Sequence, residues 1–334
     1  MPGHATERDR YLDSILYSMI GNMTVPVSGE KLAQDLGISH SRVARLIDKL
    51  RGEGVEILGE PFSGFRLTRL PDVLIPELVI ERLHTKTMGR NLFHLWEVDS
   101  TNAFAGGLLS SDDSVPHGTT VVAERQTSGR GRRGRCWFSD SVVGLYVSIV
   151  LKPDVSANLA PLLTLGAALA AHESIERTTG LQVDIKWPND LLVGRKKVCG
   201  ILSEMHAELD QVRSMVVGVG INVNHSEMPE DLREIGSSLR LESGRPHSRI
   251  EILVDFLAAF EKIYDRFVSK GPVSITEPWT ELSSFAQGRK VTVHDGVRQI
   301  EGTTDGLSAL GALRICQVDG RVEEVYSGDV VHWE

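Results

Sequence analysis

The sequence lacks the features that would place the protein in a membrane or in an oxidising compartment. No apolar run approaches the roughly 20 residues that a helix needs to span a bilayer, and residues 1–10 are polar and mixed in charge, without a signal-peptide core. The three cysteines, Cys136, Cys199 and Cys316, are odd in number and form no C-x-x-C pair. They therefore predict neither a disulfide framework nor a zinc site, and the expected location is a reducing cytoplasm.

A net positive charge is also missing. The formal net charge of −9 argues against a general affinity for nucleic acid, so any contact with DNA must come from a local basic surface. The hydrophobic share of 41% and the charged share of 24% are typical of globular proteins. A chain of 334 residues is long enough for two or three domains, each with its own core.

The N-terminal segment has the pattern of a winged helix-turn-helix. Apolar residues at helical spacing predict helices over 8–20, 30–36 and 41–50. Residues 55–58 and 64–67 then predict a hairpin, the wing. The start of the third helix and its basic face supply the candidate DNA contacts, which are Ser39, His40, Ser41, Arg42, Arg45 and Lys49. A helical module used only for protein contacts is the alternative.

The central region alternates strands with helices. The predicted strands are 92–98, 119–123, 145–151, 181–186, 197–205 and 215–223, and the predicted helices are 100–109, 158–179 and 250–268. This order predicts an α+β domain with a mixed sheet. Short strands with tight Asp-Gly turns follow and predict a small β-barrel. The expected domains are 1–70, 71–280 and 281–334.

The most unusual stretch is the arginine loop, residues 129–135, which holds four arginines and three glycines. Arginine offers a charged, planar fork of donors that suits phosphate and carboxylate oxygens, and glycine lets the backbone approach a ligand closely. The loop also matches G-x-G-x-x-G, but a dinucleotide-binding turn requires a helix after the third glycine, and a β-rich run over 145–151 follows instead. The stretch predicts a mobile lid over an anionic ligand, with a solvated basic loop as the alternative.

Four other stretches of the central region carry reactive or ligand-binding side chains. They are Ser100-Thr101-Asn102, Lys186-Trp187-Pro188-Asn189-Asp190, Lys197 with Gly200, and the strand end 218–223. An acidic residue beside an amide can hold Mg²⁺ through oxygen ligands, which makes Asp190 the candidate metal ligand. Together with the arginine loop they predict nucleotidyl transfer, because positive charge stabilises the α-phosphate transition state and the departing pyrophosphate.

These stretches, in this order and spacing, resemble those of the bifunctional biotin protein ligases that also repress the biotin operon. The resemblance covers nearly the whole chain and implies a winged helix-turn-helix, a biotin ligase catalytic domain and a C-terminal SH3-like barrel. It also implies a two-step reaction. The carboxylate of biotin attacks the α-phosphate of ATP to give biotinyl-5′-adenylate and pyrophosphate. A lysine of a biotin carboxyl carrier protein domain then attacks the mixed anhydride and releases AMP.

The resemblance assigns roles to the matched positions. Biotin contacts are expected from Ser100, Thr101, Asn102, Gln126, Arg130, Gly131, Arg132, Lys197 and Gly200. Contacts with ATP and the adenylate are expected from Arg130, Arg132, Arg133, Arg135, Trp137, Lys186, Asn189 and Asn222. The expected catalytic groups are Arg130, Arg132 and Lys197, and Asp190 would bind Mg²⁺. The residue that covers the adenine, expected near 223–230, is not assigned.

The resemblance further implies regulation. The adenylate would favour a homodimer whose paired winged helices bind a two-fold operator. Three alternatives stay open at this point: a lipoate ligase, a transcription factor with a degenerate catalytic domain, and a ligase whose N-terminal domain does not repress transcription. The arginine loop and the stretch 186–190 argue against the lipoate ligase.

Overall fold

The computed structural model describes residues 7–60, 63–208 and 211–333, so the predicted turn residues 61–62 and 209–210 lie outside the described residues. Within these ranges the chain forms an N-terminal helical unit, a central sheet with helices on both faces and a C-terminal antiparallel sheet. None of the helices in these ranges combines the length and the apolar content that crossing a membrane would require.

Three helices and a hairpin form the N-terminal unit. They are α1 Glu7–Ile20, α2 Gly29–Leu36, α3 His40–Gly52, β1 Ile57–Glu60 and β2 Gly64–Leu67. Gly37 ends α2 with a left-handed backbone (φ 65°), a conformation that suits glycine. Ser39 caps α3 because its Oγ accepts a hydrogen bond from the backbone N–H of Arg42 at 3.3 Å. The three predicted helices are confirmed, and the hairpin begins two residues later than predicted.

The central sheet has seven strands in the order β3-β4-β5-β9-β8-β7-β6. These strands are β3 Leu92–Leu95, β4 Thr120–Ala123, β5 Leu145–Leu151, β6 Asp184–Lys186, β7 Asp190–Val193, β8 Lys196–Glu208 and β9 Gln211–Ile221. Strands β3 and β4 pair in parallel, and each other neighbouring pair is antiparallel. The predicted mixed sheet is therefore confirmed.

Helices cover both faces of this sheet. They are α4 Pro76–Ile80, α5 Thr101–Ser111, α6 Ala160–Thr179, α7 Leu239–Ser243, α8 Arg249–Lys270 and α9 Val273–Leu282. Alternation along β5 shows how the faces are divided: Val147 and Ile149 belong to the large core beneath α6 and α8, whereas Val150 belongs to the smaller core beneath α5. Helix α6 is apolar on most sides because it lies between the sheet and α8.

The C-terminal unit is a five-stranded antiparallel sheet in the order β13-β12-β11-β10-β14. Its strands are β10 Gln287–His294, β11 Gln299–Leu307, β12 Leu313–Cys316, β13 Val322–Val325 and β14 Asp329–Trp333. The turn between β10 and β11 is held by Asp295, whose Oδ1 accepts hydrogen bonds from the backbone N–H groups of Val297 and Arg298. Strand β14 was not predicted, and it pairs with β10.

Several predicted boundaries in the central region were wrong. Strand β6 begins at Asp184 rather than Leu181. The stretch 187–190 does not end the sheet: Lys186 and Asp190 lie directly opposite one another, so residues 187–189 form the turn of a hairpin that leads into β7. Helices α4 and α7 were missed because each has only five residues, and α9 because Pro278 lies within it.

A buried network of charged side chains joins α1 to the central sheet. The Nδ1 atom of His94 lies 2.9 Å from Asp13 Oδ1, and its Nε2 atom lies 3.1 Å from Glu124 Oε1. Burial opposes a charge on His94, but Asp13 and then Glu124 outweigh it and raise the pKa of His94 to about 10. Burial also opposes ionisation of Glu124, yet Arg249 at 2.7 Å and His94 lower the pKa of Glu124 to about 2. The N-terminal unit is thus docked through paired charges.

Candidate active site

The stretches singled out in the sequence meet at a cavity of about 550 Å³ between the central sheet, the arginine loop and the C-terminal sheet. This volume lies within the roughly 300–1,000 Å³ that is usual for ligand pockets. The predicted residues that line it are Ser100, Thr101, Asn102, Gln126, Arg130, Gly131, Arg132, Arg135, Trp137, Lys186, Asn189, Asp190, Lys197, Gly200 and Asn222.

Arg133 departs from the expected ligand contacts. Its backbone is left-handed (φ 55°), which turns the side chain away from the cavity. The guanidinium lies instead beside Gly296, and its Nε atom is 4.0 Å from Asp329 Oδ2. In this structure Arg133 thus contacts the C-terminal sheet, and its expected contact with the adenylate stays a prediction.

One end of the cavity is formed by uncharged polar side chains at the start of α5. The backbone N–H and the Oγ1 of Thr101 donate to Gln126 Oε1 at 2.9 Å and 3.1 Å. Ser148 Oγ lies 2.8 Å from Thr101 Oγ1 and 2.6 Å from Asn102 Oδ1. Ser100 caps the helix by accepting from the N–H of Ala103 at 3.4 Å. These contacts hold the side chains in place without any formal charge.

Glu204 on β8 extends this polar end and was missed in the sequence. Its Oε2 accepts a hydrogen bond from Asn102 Nδ2 at 2.8 Å, and its Oε1 lies 3.6 Å from Arg130 Nη1. Because side chains alternate along a strand, Glu204 shares its face of the sheet with Gly200 and Leu202. That alternation was the available signal, but it could not show that α5 and the arginine loop would meet there.

Part of the floor of the cavity is backbone without side chains, at two glycines. Asp190 on β7 lies opposite Gly200 on β8, and Gly200 lies opposite Gly220 on β9. The indole of Trp137 covers both glycines: an added Cβ would come within 2.8 Å of the ring at Gly200 and within 2.5 Å of Nε1 at Gly220. Glycine is needed at both positions because a side chain would occupy the space of Trp137.

Two lysines of the cavity have different surroundings. Lys197 Nζ lies 2.5 Å from Asp190 Oδ1 and 5.3 Å from the centre of the Trp137 ring. Lys186 Nζ lies 4.0 Å from the centre of the Trp333 ring, a cation–π contact. Burial lowers the pKa of Lys186 to about 8, although Asp190 partly opposes the shift. Lys186 is therefore a cation whose charge is poorly solvated.

The arginine loop is folded back on itself at the cavity mouth. The backbone N–H of Gly131 donates to the carbonyl of Arg135 at 2.7 Å. Arg132 Nη1 donates to Asn189 Oδ1 at 3.2 Å and to Asp329 Oδ1 at 3.0 Å. Burial lowers the pKa of Arg132, and Asp329 opposes that shift, so the guanidinium stays charged in a partly dry place.

Two uncharged buried polar atoms at the cavity have no hydrogen-bond partner among the described residues. They are Trp137 Nε1, a donor, and Asn222 Oδ1, an acceptor. The amide of Asn222 is held on its other side, where Nδ2 donates to the carbonyl of Ser237 at 3.0 Å. Because buried polar groups are usually satisfied, both atoms suit a ligand that offers complementary groups.

An apolar wall closes another side of the cavity. Met228, Leu232 and Ile235 line it, and Ile235 exposes 64% of its surface. The backbone carbonyl of Ile235 accepts from the N–H of Lys197 at 2.8 Å, which ties this segment to β8. The C-terminal sheet adds Val331 and Trp333, which were not predicted from the sequence because strand β14 was not predicted.

The candidate DNA contacts on α3 are unequal in exposure. Ser39, Ser41 and Arg45 are exposed. Arg42 is half-buried and lies with its guanidinium 4.7 Å from the centre of the Tyr11 ring. The remaining two are also half-buried: the His40 ring packs beside Gly29, and Lys49 Nζ pairs with Glu53 Oε1 at 3.1 Å. Only three of the six candidate DNA contacts are thus exposed, because α3 packs against α1 and α2.

The arrangement suits the reaction of two anions with one another. Arginines 130, 132 and 135 and lysines 186 and 197 surround the cavity, and fixed cations stabilise the charge that develops as two anionic groups meet. No group of three or more His, Cys, Asp or Glu side chains placed to hold a metal occurs in the described ranges. A single carboxylate such as that of Asp190 is enough for Mg²⁺ that is shared with phosphate oxygens. Proteins often bind Mg²⁺ through one or two carboxylates together with substrate phosphates.

Comparison with known proteins gives consistent similarities. The biotin/lipoate A/B protein ligase family model matches residues 97–222. The chain is 36% identical to the bifunctional ligase/repressor BirA of Bacillus subtilis (strain 168) over 321 residues, 94% of this chain and 96% of that protein. It is 28% identical to the protein of the same name from Escherichia coli (strain K12), over 91% of this chain and 92% of that protein.

A solved structure extends the similarity to the fold. The biotin protein ligase from Aquifex aeolicus in complex with biotin and ATP superposes with a TM-score of 0.63 and is 32% identical. The match covers 73% of this chain and 98% of that chain.

Proposed function

This chain belongs to the biotin/lipoate A/B protein ligase family, among its bifunctional ligase/repressors, and we propose that it joins biotin to a carrier protein at the expense of ATP. The observation that carries the proposal is the meeting of all the predicted stretches at one cavity of about 550 Å³. The chain is an adenylate-forming biotin ligase with biotin and ATP as substrates.

The two ends of the cavity suit the two ends of biotin. The uncharged hydrogen-bonding groups of Ser100, Thr101, Asn102 and Gln126 fit the neutral ureido ring, which both donates and accepts. The carboxylate of biotin then lies toward Lys197 and the arginine loop. A lipoyl ring offers no such groups and would leave buried polar atoms unpaired, which disfavours the lipoate alternative.

In the first step the biotin carboxylate oxygen attacks the α-phosphorus of ATP. A P–O bond forms, the bond to the β-phosphate oxygen breaks, and pyrophosphate leaves with the electron pair. Arg130, Arg132 and Lys197 neutralise the two approaching anions, and Gly131 lets the loop backbone come close. Water is excluded by the folded loop, which protects the mixed anhydride from hydrolysis.

The nucleotide occupies the other half of the cavity in this proposal. Lys186, Asn189 and Arg135 lie toward the phosphates, and Asn222 Oδ1 accepts from a ligand donor. Asp190 would hold Mg²⁺, which would supply further neutralisation of charge at the phosphates. We propose that the apolar wall of Met228, Leu232 and Ile235, which lines the cavity, covers the adenine.

In the second step a lysine amine of the carrier domain attacks the carbonyl carbon of biotinyl-5′-adenylate. An amide bond forms, the C–O bond to the phosphate breaks, and AMP leaves while the amine loses its proton. The same cations that stabilise the first transition state stabilise the departing phosphate. The biotin carboxyl carrier protein domain is therefore the proposed acceptor.

The N-terminal unit is proposed to be a winged helix-turn-helix that binds operator DNA. Its support is the pair α2 and α3 joined by a short glycine turn, followed by the hairpin β1–β2. Ser39, Ser41 and Arg45 are exposed and lie at the part of a recognition helix that contacts DNA. A homodimer would place two such helices at successive major grooves, and the adenylate would favour it.

Contacts between the units support a coupling of the cavity to α3. Ser141 Oγ donates to Glu53 Oε2 at 2.7 Å, and Glu53 stands at the C-terminal end of α3. Ser141 follows the arginine loop by only six residues. The proposed domains are residues 1–70, 71–280 and 281–334, and the last is proposed to be an SH3-like barrel built on the five-stranded sheet.

ATP–pyrophosphate exchange with biotin, followed by labelling of a carrier domain, tests both half-reactions. Exchange with biotin but not with lipoate is expected, and Arg132→Ala should abolish it. Exchange with lipoate alone would refute the biotin assignment, and no exchange by the wild type would refute the enzyme. Binding to DNA upstream of biotin biosynthesis genes, dependent on biotin and ATP, tests repression; its absence at low salt would leave a ligase that does not repress.

A further inference from the structure

Three arginines of the loop approach one carboxylate of the C-terminal sheet, that of Asp329. We propose that Asp329 is a positioning residue that anchors the arginine loop in its folded form and holds Arg132 in the direction of the reacting phosphate. The inference rests on the proposed ligase function, and it makes the C-terminal sheet a working part of the active site.

Three arginines of the loop approach Asp329. Arg132 Nη1 donates to Oδ1 at 3.0 Å, and Arg135 Nη2 donates to Oδ2 at 2.9 Å. Arg133 Nε lies 4.0 Å from Oδ2. Like charges so close together repel one another, and the carboxylate between them offsets that repulsion. Without it, the folded loop would hold three neighbouring cations that lack the carboxylate they share.

The contacts of Arg132 leave one side of its guanidinium available. Its Nη1 atom donates to Asp329, to the carbonyl of Gly328 at 3.0 Å and to Asn189 Oδ1 at 3.2 Å. Its Nε and Nη2 atoms make no hydrogen bond within the described residues, and the side chain lines the cavity. Asp329 therefore binds the guanidinium at Nη1, and the N–H groups of Nε and Nη2 are available to donate to an anion in the cavity.

Asp329 is itself placed by strand pairing. It lies opposite His294 in the pairing of β14 with β10. The preceding residue is Gly328, where a Cβ would lie 2.9 Å from Val293 Cγ1 and 3.0 Å from the His294 carbonyl. The strand can approach β10 this closely because position 328 has no side chain. A side chain on a paired strand provides a more precise anchor than one on a loop.

Strand β14 supplies several residues around the loop and the cavity. Its pairing with β10 shifts register between Thr292 and Val293, which marks a bulge in β14 between Asp329 and Trp333. Val331 and Trp333 line the cavity, and Trp333 carries the Lys186 ammonium over its ring. Asp329 does not line the cavity. It acts through Arg132 and Arg135, which is why we assign positioning rather than catalysis to it.

The test compares Asp329→Asn with Asp305→Asn in the full chain. Asp305 is an acid of the same sheet that pairs with Arg314 at 2.8 Å, remote from the loop contacts. Loss of the charge at position 329 is expected to lower kcat/KM for ATP in pyrophosphate exchange about 10- to 100-fold, the effect of losing charge-assisted hydrogen bonds. Asp305→Asn should stay within about threefold of the wild type, as most surface changes do.

Limited trypsin digestion measures the order of the arginine loop separately from the stability of the whole protein. Cleavage within the arginine loop should become faster in Asp329→Asn at unchanged melting temperature, and Asp329→Glu should restore part of the protection because it keeps the charge. Biotin and ATP should protect the wild-type loop more than that of Asp329→Asn. Equal kinetics and equal cleavage in Asp329→Asn and Asp305→Asn would overturn the anchor.

A second variant covers the case in which Asp329→Asn does not fold. Arg135→Gln removes one arm of the anchor from the loop side, at a side chain that is 61% exposed. The anchor predicts faster cleavage after Arg130 and Arg132 in this variant, and unchanged cleavage there would overturn it. A wild type that catalyses no exchange would instead refute the proposed ligase function, while the digestion result would still decide whether Asp329 holds the loop.

Discussion

Gly200 on β8 lies directly opposite Gly220 on β9, and the indole of Trp137 covers both. The two glycines are 20 residues apart in the chain, yet they form one flat surface in the sheet. Trp137 follows the arginine loop by two positions, so the contact places the loop relative to the floor of the cavity. The floor and the lid of the site are therefore fitted to each other through a surface without side chains.

Gly220→Ala is expected to disturb that fit. The added Cβ would lie 2.5 Å from Trp137 Nε1, so the indole must shift. A misplacement of about 1 Å near reacting groups can lower the rate about 100-fold. We therefore expect the rate of adenylate formation to fall at least about 10-fold in Gly220→Ala. Pyrophosphate exchange measures it. Gly106→Ala on α5 is the control, because within the described part of the chain its added Cβ meets no atom within 4 Å beyond its chain neighbours and its own helix backbone. Similar losses in both variants would contradict the explanation.

The charge of Lys186 should give the affinity for ATP a pH dependence. Burial lowers the pKa of this lysine to about 8, so the free enzyme loses the cation as the pH rises through that value. We expect kcat/KM for ATP to fall above pH 8, by up to about tenfold per pH unit. Lys186→Arg keeps its charge over this range and should give a flat profile there. An identical decline in both proteins would show that another group titrates.

His94 should make the protein less stable as the pH rises. The pKa of His94 is raised from 6.5 to about 10, so between these values the folded protein binds a proton that the unfolded chain releases. Its contribution to stability is complete below pH 6.5 and is lost as the pH rises through about 10. The difference in melting temperature between wild type and His94→Gln should therefore shrink from pH 6.5 to pH 10.

The comparison uses the difference in melting temperature between wild type and His94→Gln because Lys186 also titrates in this pH range. Its lowered pKa contributes a stability change of opposite sign above pH 8, since the folded protein there binds fewer protons than the unfolded chain. Both His94 proteins contain Lys186, so its contribution cancels in the comparison. A difference that stays constant across the range would show that His94 is not charged in the folded protein.

Arg45 is expected to serve DNA binding alone. It is exposed on α3, and its Nε donates only weakly, at 3.4 Å, to the carbonyl of Ser41. We expect Arg45→Ala to weaken operator binding about 5- to 100-fold and to leave pyrophosphate exchange unchanged. Fluorescence anisotropy in the presence of biotin and ATP measures the first effect. Lys262→Ala on α8 removes the same charge from another exposed position, and an equal loss there would point to net charge alone.

Local patterns were sufficient for most elements of the fold. The helices around Leu12, Leu46 and Ile252 follow from apolar residues at helical spacing, and each is confirmed. Strand β7 was missed because Pro188 and Asn189 usually signal the end of an element, whereas here they form a hairpin turn. Strand β14 was missed because a five-residue strand after a tight turn carries little pattern of its own.

Some residues of the candidate site could likewise be predicted from the sequence, and others could not. Ser100, Arg132 and Lys197 carry chemistry that is unusual for their local structure, so they could be identified one by one. Glu204 and Asp329 are single acids in ordinary strands, and a charged residue on a strand usually faces solvent. Their contacts depend on what packs against the strand, which a single sequence does not show.

The sequence by itself determined the kinds of groups in the site, because arginine, lysine and glycine have their chemistry wherever they lie. It also determined the helices and most strands, since hydrophobic periodicity is a local property. Only the tertiary structure decided that Asp329 meets Arg132, 197 positions earlier in the chain. Strand pairing and alternation set such distant contacts, and both depend on the register of the whole sheet rather than on neighbouring residues.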